Sequence, residues 1–272
     1  MESKRKILII TGIAVLATLI TIVHGPIPQD PTYHAFADQR LLYGIPNFWN
    51  VISNIPIIVA GLAGLLLVAT KKYSGGLPSL TMHYALFFAG AVFIGAGSAW
   101  YHLHPDNDTL VWDRLPMTLT FMALFSAILG ENIAPVAGRL SLWPLLGAGV
   151  ASVYYWHITE LAGHGDLRSY AMIQFLPLLL IPIIMLLFKS PFTSNRILLW
   201  LLMVYVLAKI AELYDHEIYH MLNFLSGHTL KHLCAALGIF CYYLALKKRI
   251  PRCGGKKSHA VPPPATANGT IL

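Results

Sequence analysis

Residues 226–249 read S-G-H-T-L-K-H-L-C-A-A-L-G-I-F-C-Y-Y-L-A-L-K-K-R, and the reading of this stretch decides the rest. A helix needs about 20 apolar residues to cross a bilayer core, and 226–246 supplies them. The run is continuous and does not alternate, which excludes a barrel strand. Ser226 is the predicted N-cap, and Lys247 and Lys248 close the segment on its basic side. His228 and His232 are spaced i, i+4 and so share one helix face. Polar side chains at the outer end of an apolar helix are expensive and usually have a task.

Seven further apolar stretches precede this one, near residues 7–23, 48–69, 82–102, 113–134, 143–160, 169–188 and 196–214. The 272 residues are 56% hydrophobic and only 11% charged, with a mean hydropathy of +0.62. Soluble domains carry roughly 25% charged residues. The expected fold is all-α: a polytopic transmembrane helical bundle with a seven-helix core and one N-terminal helix. Residues 1–24 form the N-terminal transmembrane helix with its basic start, 25–247 the core, and 248–272 a disordered cytoplasmic tail. No internal repeat and no second domain are expected.

The net charge of +7 comes from residues that orient the protein. With the N-terminus inside, cytoplasmic segments hold Lys4, Arg5, Lys6, Lys71, Lys72, Arg139, Lys189, Arg196, Lys247, Lys248, Arg249, Arg252, Lys256 and Lys257, which is 14 of the 19 basic residues. All acids except Glu2 and Glu131 fall on or near the other side. This is the positive-inside pattern, with both termini cytoplasmic, and it does not call for a nucleic acid. Residues 1–23 are expected to stay as an anchor helix, because the exit Ile22-Val23-His24-Gly25-Pro26 lacks an A-x-A cleavage site. Cys234 and Cys241 read as small apolar packing residues, and Cys253 lies among basic residues beyond the last helix.

Between the apolar runs, residues 24–47 form a polar exoplasmic segment with His24, Asp30, His34, Asp38, Arg40 and Asn47. Asn50 and Asn54 begin the second apolar run four residues apart, where amides commonly bond neighbouring helices. Gly75-Gly76, Pro78 and Pro191 break the chain into short loops, and Pro177 and Pro182 are expected to kink the sixth helix. The Pro-rich end, with Asn268-Gly-Thr, reads as disordered.

Two motifs bear chemistry. G-S-A-W-Y-H at 97–102 puts Ser98 and His102 on one helix face by the same i, i+4 spacing, and Asp113 follows His102 by eleven residues across a short polar loop. The eight-segment topology ends the third helix, begins the fourth and begins the eighth on the exoplasmic side, at similar depth. His102, His228 and His232 are then three imidazole ligands for Zn2+ with an open fourth position. Zinc would lower the pKa of its water towards ~7. Asp113 fits a general base, or a group orienting that water, and Ser98 a donor to a developing oxyanion. A rival H-x-x-x-H pair, His216 and His220, looks more solvated, and His104 rivals His102. Lys209 and Glu212 read as an i, i+3 pair, and Lys231 as a snorkelling side chain.

The order S-x-x-x-H, Asp eleven residues on, then H-x-x-x-H in the last helix resembles the alkaline ceramidase family. That family lies within a superfamily of seven-helix membrane metal hydrolases that includes the progestin and adiponectin receptors. N-F-W-N-V-I-S-N at 47–54 is similar to the start of the family's first core helix, and the resemblance covers roughly residues 34–246. It implies that His102, His228 and His232 hold zinc, that Asp113 activates water and that Ser98 assists at the scissile amide. The implied reaction cleaves the N-acyl bond of ceramide, or a ceramide-like lipid, to a sphingoid base and a fatty acid. The substrate is a membrane lipid, and no obligate protein partner is implied. Family members carry an acidic calcium-binding stretch with Glu directly before F-W-N. Here that position is Asn47, and only Asp38 stands upstream beside Arg40, so calcium, which wants several oxygen ligands, is not supported. Arg40 has two candidate partners, Asp38 and a lipid headgroup. The other classes left open are a metal-containing lipid receptor or sensor without turnover, and a transporter relaying protons through buried His and Asp.

Overall fold

The computed structural model describes residues 2–252. Long apolar runs must satisfy their backbone groups within themselves in a bilayer, and helices do so. The elements are α1 (Glu2–Val23), α2 (Phe48–Ile52), α3 (Ile55–Ala69), α4 (Thr81–Leu103), α5 (Asn107–Asn132), α6 (Pro135–Leu161), α7 (Arg168–Leu187), α8 (Ile197–Leu213), α9 (Asp215–Leu222) and α10 (Gly227–Lys248). The result is an all-α polytopic bundle. All eight expected apolar segments are helical, and the differences lie at their ends and breaks.

Six of the spans, α1, α2 with α3, the segment Pro78–Leu103 containing α4, α6, α7 and α10, are long and apolar enough to cross a membrane. Helices α8 and α9 meet at 80° and make a seventh if counted as one broken span. Helix α5 is the exception, because it carries Asp113, Arg114, Glu131 and Asn132. All four are buried inside the bundle. Helix α5 packs against α4, α6 and α7 and so tolerates polar groups that lipid would not.

Helices α1 and α6 begin earlier than the sequence reading places them, at Glu2 and Pro135, and two further differences bear on the site. The expected 48–69 helix is interrupted at Ser53 and Asn54, which separate α2 from α3. Helix α5 begins at Asn107, not near Asp113, because Asp106 closes a capping box with Thr109. The Asp106 carboxyl is held below its usual range by the Thr109 backbone N–H it accepts. Asp113 therefore lies almost two turns inside the helix.

Helix α10 starts as expected at an N-cap, with Ser226 Oγ accepting from the Thr229 N–H. It packs against α3 and α8. The chain from 248 to 252, expected as tail, instead docks on the loop after α7: Thr193 N donates to Ile250 O and Arg252 N to Pro191 O. Arg249 is wholly buried and paired with Glu131, so it is not a free cytoplasmic charge. Residues 253–272, including Cys253 and Asn268, lie outside the described residues. Helix α1 packs along α7 at the periphery, and Pro177 and Pro182 lie inside α7.

Candidate metal centre and active site

Two close backbone approaches bring the polar residues together. A Cβ on Gly97 would sit 2.0 Å from the Trp112 carbonyl oxygen, so only glycine lets α4 touch α5 directly beside Ser98 and Asp113. A Cβ on Gly227 would sit 2.1 Å from the Ala211 carbonyl oxygen, which lets the start of α10 rest on the end of α8.

His102 from α4 and His228 and His232 from α10 meet there, all three buried. One nitrogen from each lies within 4.8 Å of those of the other two. Their ring centroids are 4.7 Å (His102 to His228), 4.9 Å (His102 to His232) and 5.0 Å (His228 to His232) apart. His102 Nε2 stands 3.3 Å from His232 Nε2. Two nitrogens bound at about 2.0–2.1 Å on a tetrahedral zinc are separated by about 3.3–3.4 Å. The His102–His232 pair stands at that separation, and the three imidazoles together could hold a metal ion.

His232 Nδ1 has two polar neighbours, Ser53 Oγ and, at 3.5 Å, Asn54 Nδ2. Ser53 Oγ donates to the Asn50 carbonyl at 3.2 Å, so it accepts from His232 Nδ1–H at 2.7 Å. That leaves the His232 Nε2 lone pair facing His102. His102 is held by its backbone, whose carbonyl accepts from Asn47 Nδ2 at 2.8 Å. Asp215 ties the floor together: Oδ1 accepts the His228 backbone N–H at 2.6 Å and Oδ2 the Ala37 N–H at 2.9 Å. The latter bond draws Phe36 over the cluster, with its ring centroid 4.6 Å from His102 and 4.8 Å from His228.

Ser98 Oγ lies 3.4 Å from His232 Nε2. Ser98, Asp113 and His232 line one cavity of about 120 Å³ that continues between α4, α5, α8 and α10 along Ile57, Leu124 and Ile239. Its far walls are almost wholly apolar, as an acyl chain requires. The five residues singled out from sequence therefore converge on one place: three imidazoles at its head, and the hydroxyl and carboxyl alongside.

The rivals do not join them. His216 and His220 are exposed on α9, with His216 Nε2 3.1 Å from the Ala35 carbonyl oxygen. His104 is exposed just past α4. Lys231 does not snorkel. It turns inward, donating to Glu212 Oε1 at 2.6 Å, with its Nζ 3.4 Å from His228 Nε2. Glu212 also binds Lys209, the expected i, i+3 pair, and accepts from the Tyr33 hydroxyl at 3.0 Å. A carboxylate on the neighbouring helix makes the inward path better than the membrane surface.

Sequence reasoning missed Ser53, Phe36 and Asp215. Ser53 stood inside N-V-I-S-N, between two amides already noted; nothing local marked the other two. Arg40, for which two partners were open, grips Asp38 through Nε (2.8 Å) and Nη2 (2.6 Å), and this pair raises the Arg40 pKa further. Both Asp38 oxygens are thereby engaged. Asn50, expected to bridge helices, does so: its Oδ1 accepts from the Thr229 hydroxyl at 2.9 Å.

Comparison with curated proteins gives no match for this chain, and comparison with solved structures gives none. Residues 39–249 match the sequence profile of the Ceramidase family. The matched segment starts between Asp38 and Arg40 and ends on buried Arg249, so it contains the three histidines, Ser98, Asp113, Ser53 and Asp215, while Phe36 lies just before it. The match leaves α1 outside. With most of its length under that match, this chain belongs to the Ceramidase family, whose members are hydrolases of a membrane lipid.

Proposed function

We propose that the protein is a zinc-dependent intramembrane amide hydrolase that cleaves the N-acyl bond of ceramide or a ceramide-like lipid. The observation that carries this reading is the meeting of three buried imidazoles from two helices, within 4.8 Å, beside a hydroxyl and a carboxyl. His102, His228 and His232 hold the metal. Bound there, zinc supplies a Lewis acid and makes water acidic enough to act near neutral pH.

The chain's own residues do the rest. Ser53 keeps His232 in the tautomer that offers Nε2, as outer-shell partners do in metal sites. Asp113 takes the proton of the attacking water and returns it to the leaving amine, so water adds across the amide and a free fatty acid and a sphingoid base result. Ser98 donates a hydrogen bond to the oxygen on which negative charge develops. Phe36 and the loop around it shield this chemistry from bulk solvent. The apolar cavity below takes the stretch of hydrocarbon chain next to the amide, reached laterally from the bilayer. The distribution of basic residues argues for cytoplasmic termini and a site near the exoplasmic leaflet.

Purified protein should contain about one zinc per chain, and His228→Ala should lose both the metal and ceramide turnover. Metal-free protein that still released fatty acid from ceramide would end this reading. Bound zinc with no product after long incubation would favour the sensor alternative.

A further inference from the structure

Arg114 follows Asp113 in sequence but serves nothing described so far. It is 5% exposed, and its guanidinium is stacked among aromatic rings: its carbon lies 4.1 Å from the Trp156 ring centroid, 4.8 Å from Tyr170 and 5.6 Å from Tyr33. Those rings stabilise the faces of the cation. They do nothing for its in-plane N–H groups. Nη2 donates to Gln29 Oε1 at 2.5 Å, while Nη1, buried, has no acceptor among the described residues. A buried arginine without a carboxylate partner is costly, so this side chain invites an anion.

It borders a chamber of about 190 Å³, which it lines together with Asp113, Lys209, Glu212, Lys231 and Tyr170. Both lysines are already paired with Glu212; Arg114 is in no ion pair among the described residues. The chamber shares Asp113, Met117, Gln174, Lys209 and Lys231 with the apolar cavity that runs past Ser98 and His232. A chamber bearing charged side chains therefore adjoins the narrow apolar cavity, with His232 of the candidate metal centre lining the latter.

We propose that this chamber is an anion-binding subsite, in which Arg114 receives the carboxylate of a lipid whose chain occupies the apolar cavity. The planar fork of an arginine matches a carboxylate in geometry. Two sources share that chemistry: the fatty acid released by hydrolysis, and an acidic headgroup on the amine side of an N-acyl lipid. The inference rests on the lipid-hydrolase reading only for what the ligand is doing there, since binding is measured without turnover.

The experiment compares matched acid and alcohol ligands on the purified, metal-containing protein by quenching of tryptophan fluorescence. Laurate against dodecanol tests the released acid, and N-lauroylglycine against N-lauroylethanolamine tests the headgroup. The acid of at least one pair should bind about tenfold tighter, and the pair that discriminates names the source. Arg114→Gln should abolish that preference while leaving the alcohol's affinity within about twofold, and Arg114→Lys should restore part of it. A preference that survives Arg114→Gln would put the carboxylate on the metal and overturn the proposal, as would no preference in either pair. If the Gln variant fails to fold, Arg114→Lys decides: its acid-over-alcohol preference must fall below that of wild type, and an unchanged preference overturns the proposal. Failure of ceramide hydrolysis would leave all these outcomes readable.

Discussion

Ser53 Oγ and His232 Nδ1 lie 2.7 Å apart, across the junction between the broken second span and the last helix. Because the serine proton is engaged by the Asn50 carbonyl, this contact favours hydrogen on His232 Nδ1 and leaves Nε2 to the metal site. Ser53→Ala should therefore weaken zinc binding about 10- to 100-fold, as loss of an outer-shell partner typically does. Competition with a fluorescent chelator measures it. Ser53→Thr, which retains the hydroxyl, should bind zinc within a few-fold of wild type. Equal affinity in wild type and alanine variant would mean that the ring is held by packing alone.

Asp113 and Ser98 line the cavity without belonging to the imidazole cluster, so metal content and turnover should separate in their variants. Asp113→Asn should keep its zinc and lose about 10²- to 10⁴-fold in kcat, the usual range for general acid–base catalysis. Ser98→Ala should also keep zinc and lose about 10²- to 10³-fold, the range for one oxyanion donor. Elemental analysis of the same samples used for kinetics makes the comparison. Loss of zinc in Asp113→Asn would reassign the carboxylate to holding the ion.

The five-residue constellation was legible because two i, i+4 spacings and one loop length sufficed to put it at a common depth. Helix periodicity settles which residues share a face, and segment order settles which ends meet. What sequence hid depended on partners distant along the chain. Lys231 reads as a snorkelling residue until Glu212 is seen 19 positions away, buried on another helix. Asp215 sits next to the rejected pair His216 and His220, yet its task is to anchor the His228 backbone and the Phe36 loop. Helix α5 was harder still, since the interior position that excuses its Arg114 and Glu131 is a property of the whole bundle.

Asp166, in the loop between α6 and α7, gives a test of pH dependence outside the spans. Its carboxylate accepts from the Arg168 side chain, chiefly, and from the Arg168 backbone N–H, which hold its pKa down to about 2 despite burial. A group whose pKa is depressed in the folded state stabilises it above its unfolded value, about 3.9, and that contribution disappears as pH falls through about 2. The melting temperature of Asp166→Asn should accordingly lie below that of wild type by a constant gap from pH 7 to about 4.5. The gap should close between about 4 and 2. A gap that persisted at pH 2 would show that the asparagine itself, not the lost charge, is responsible.

At the other end of α5, Glu131 and Arg249 form an ion pair whose side chains are 1% and 0% exposed. Arg249 donates to both Glu131 oxygens, at 2.7 and 2.9 Å, and also to Asn195 Oδ1 and the Gly75 carbonyl. One guanidinium thus ties α5, the end of α10 and the loops after α3 and α7 together. Removing one partner of a buried pair strands the other charge, and Arg249→Met should destabilise the protein by about 3–5 kcal/mol. The double variant Arg249→Met/Glu131→Leu should recover much of that loss, because it removes the stranded carboxylate as well. Glu131 lies 18 residues beyond Asp113, about 27 Å along the helix, so zinc content per folded molecule should not change in either variant. Thermal unfolding in detergent, with zinc measured in the same samples, reads both quantities. If the single and double variants unfold alike, the pair contributes through its arginine contacts to Asn195 and Gly75 and not through the charge it neutralises.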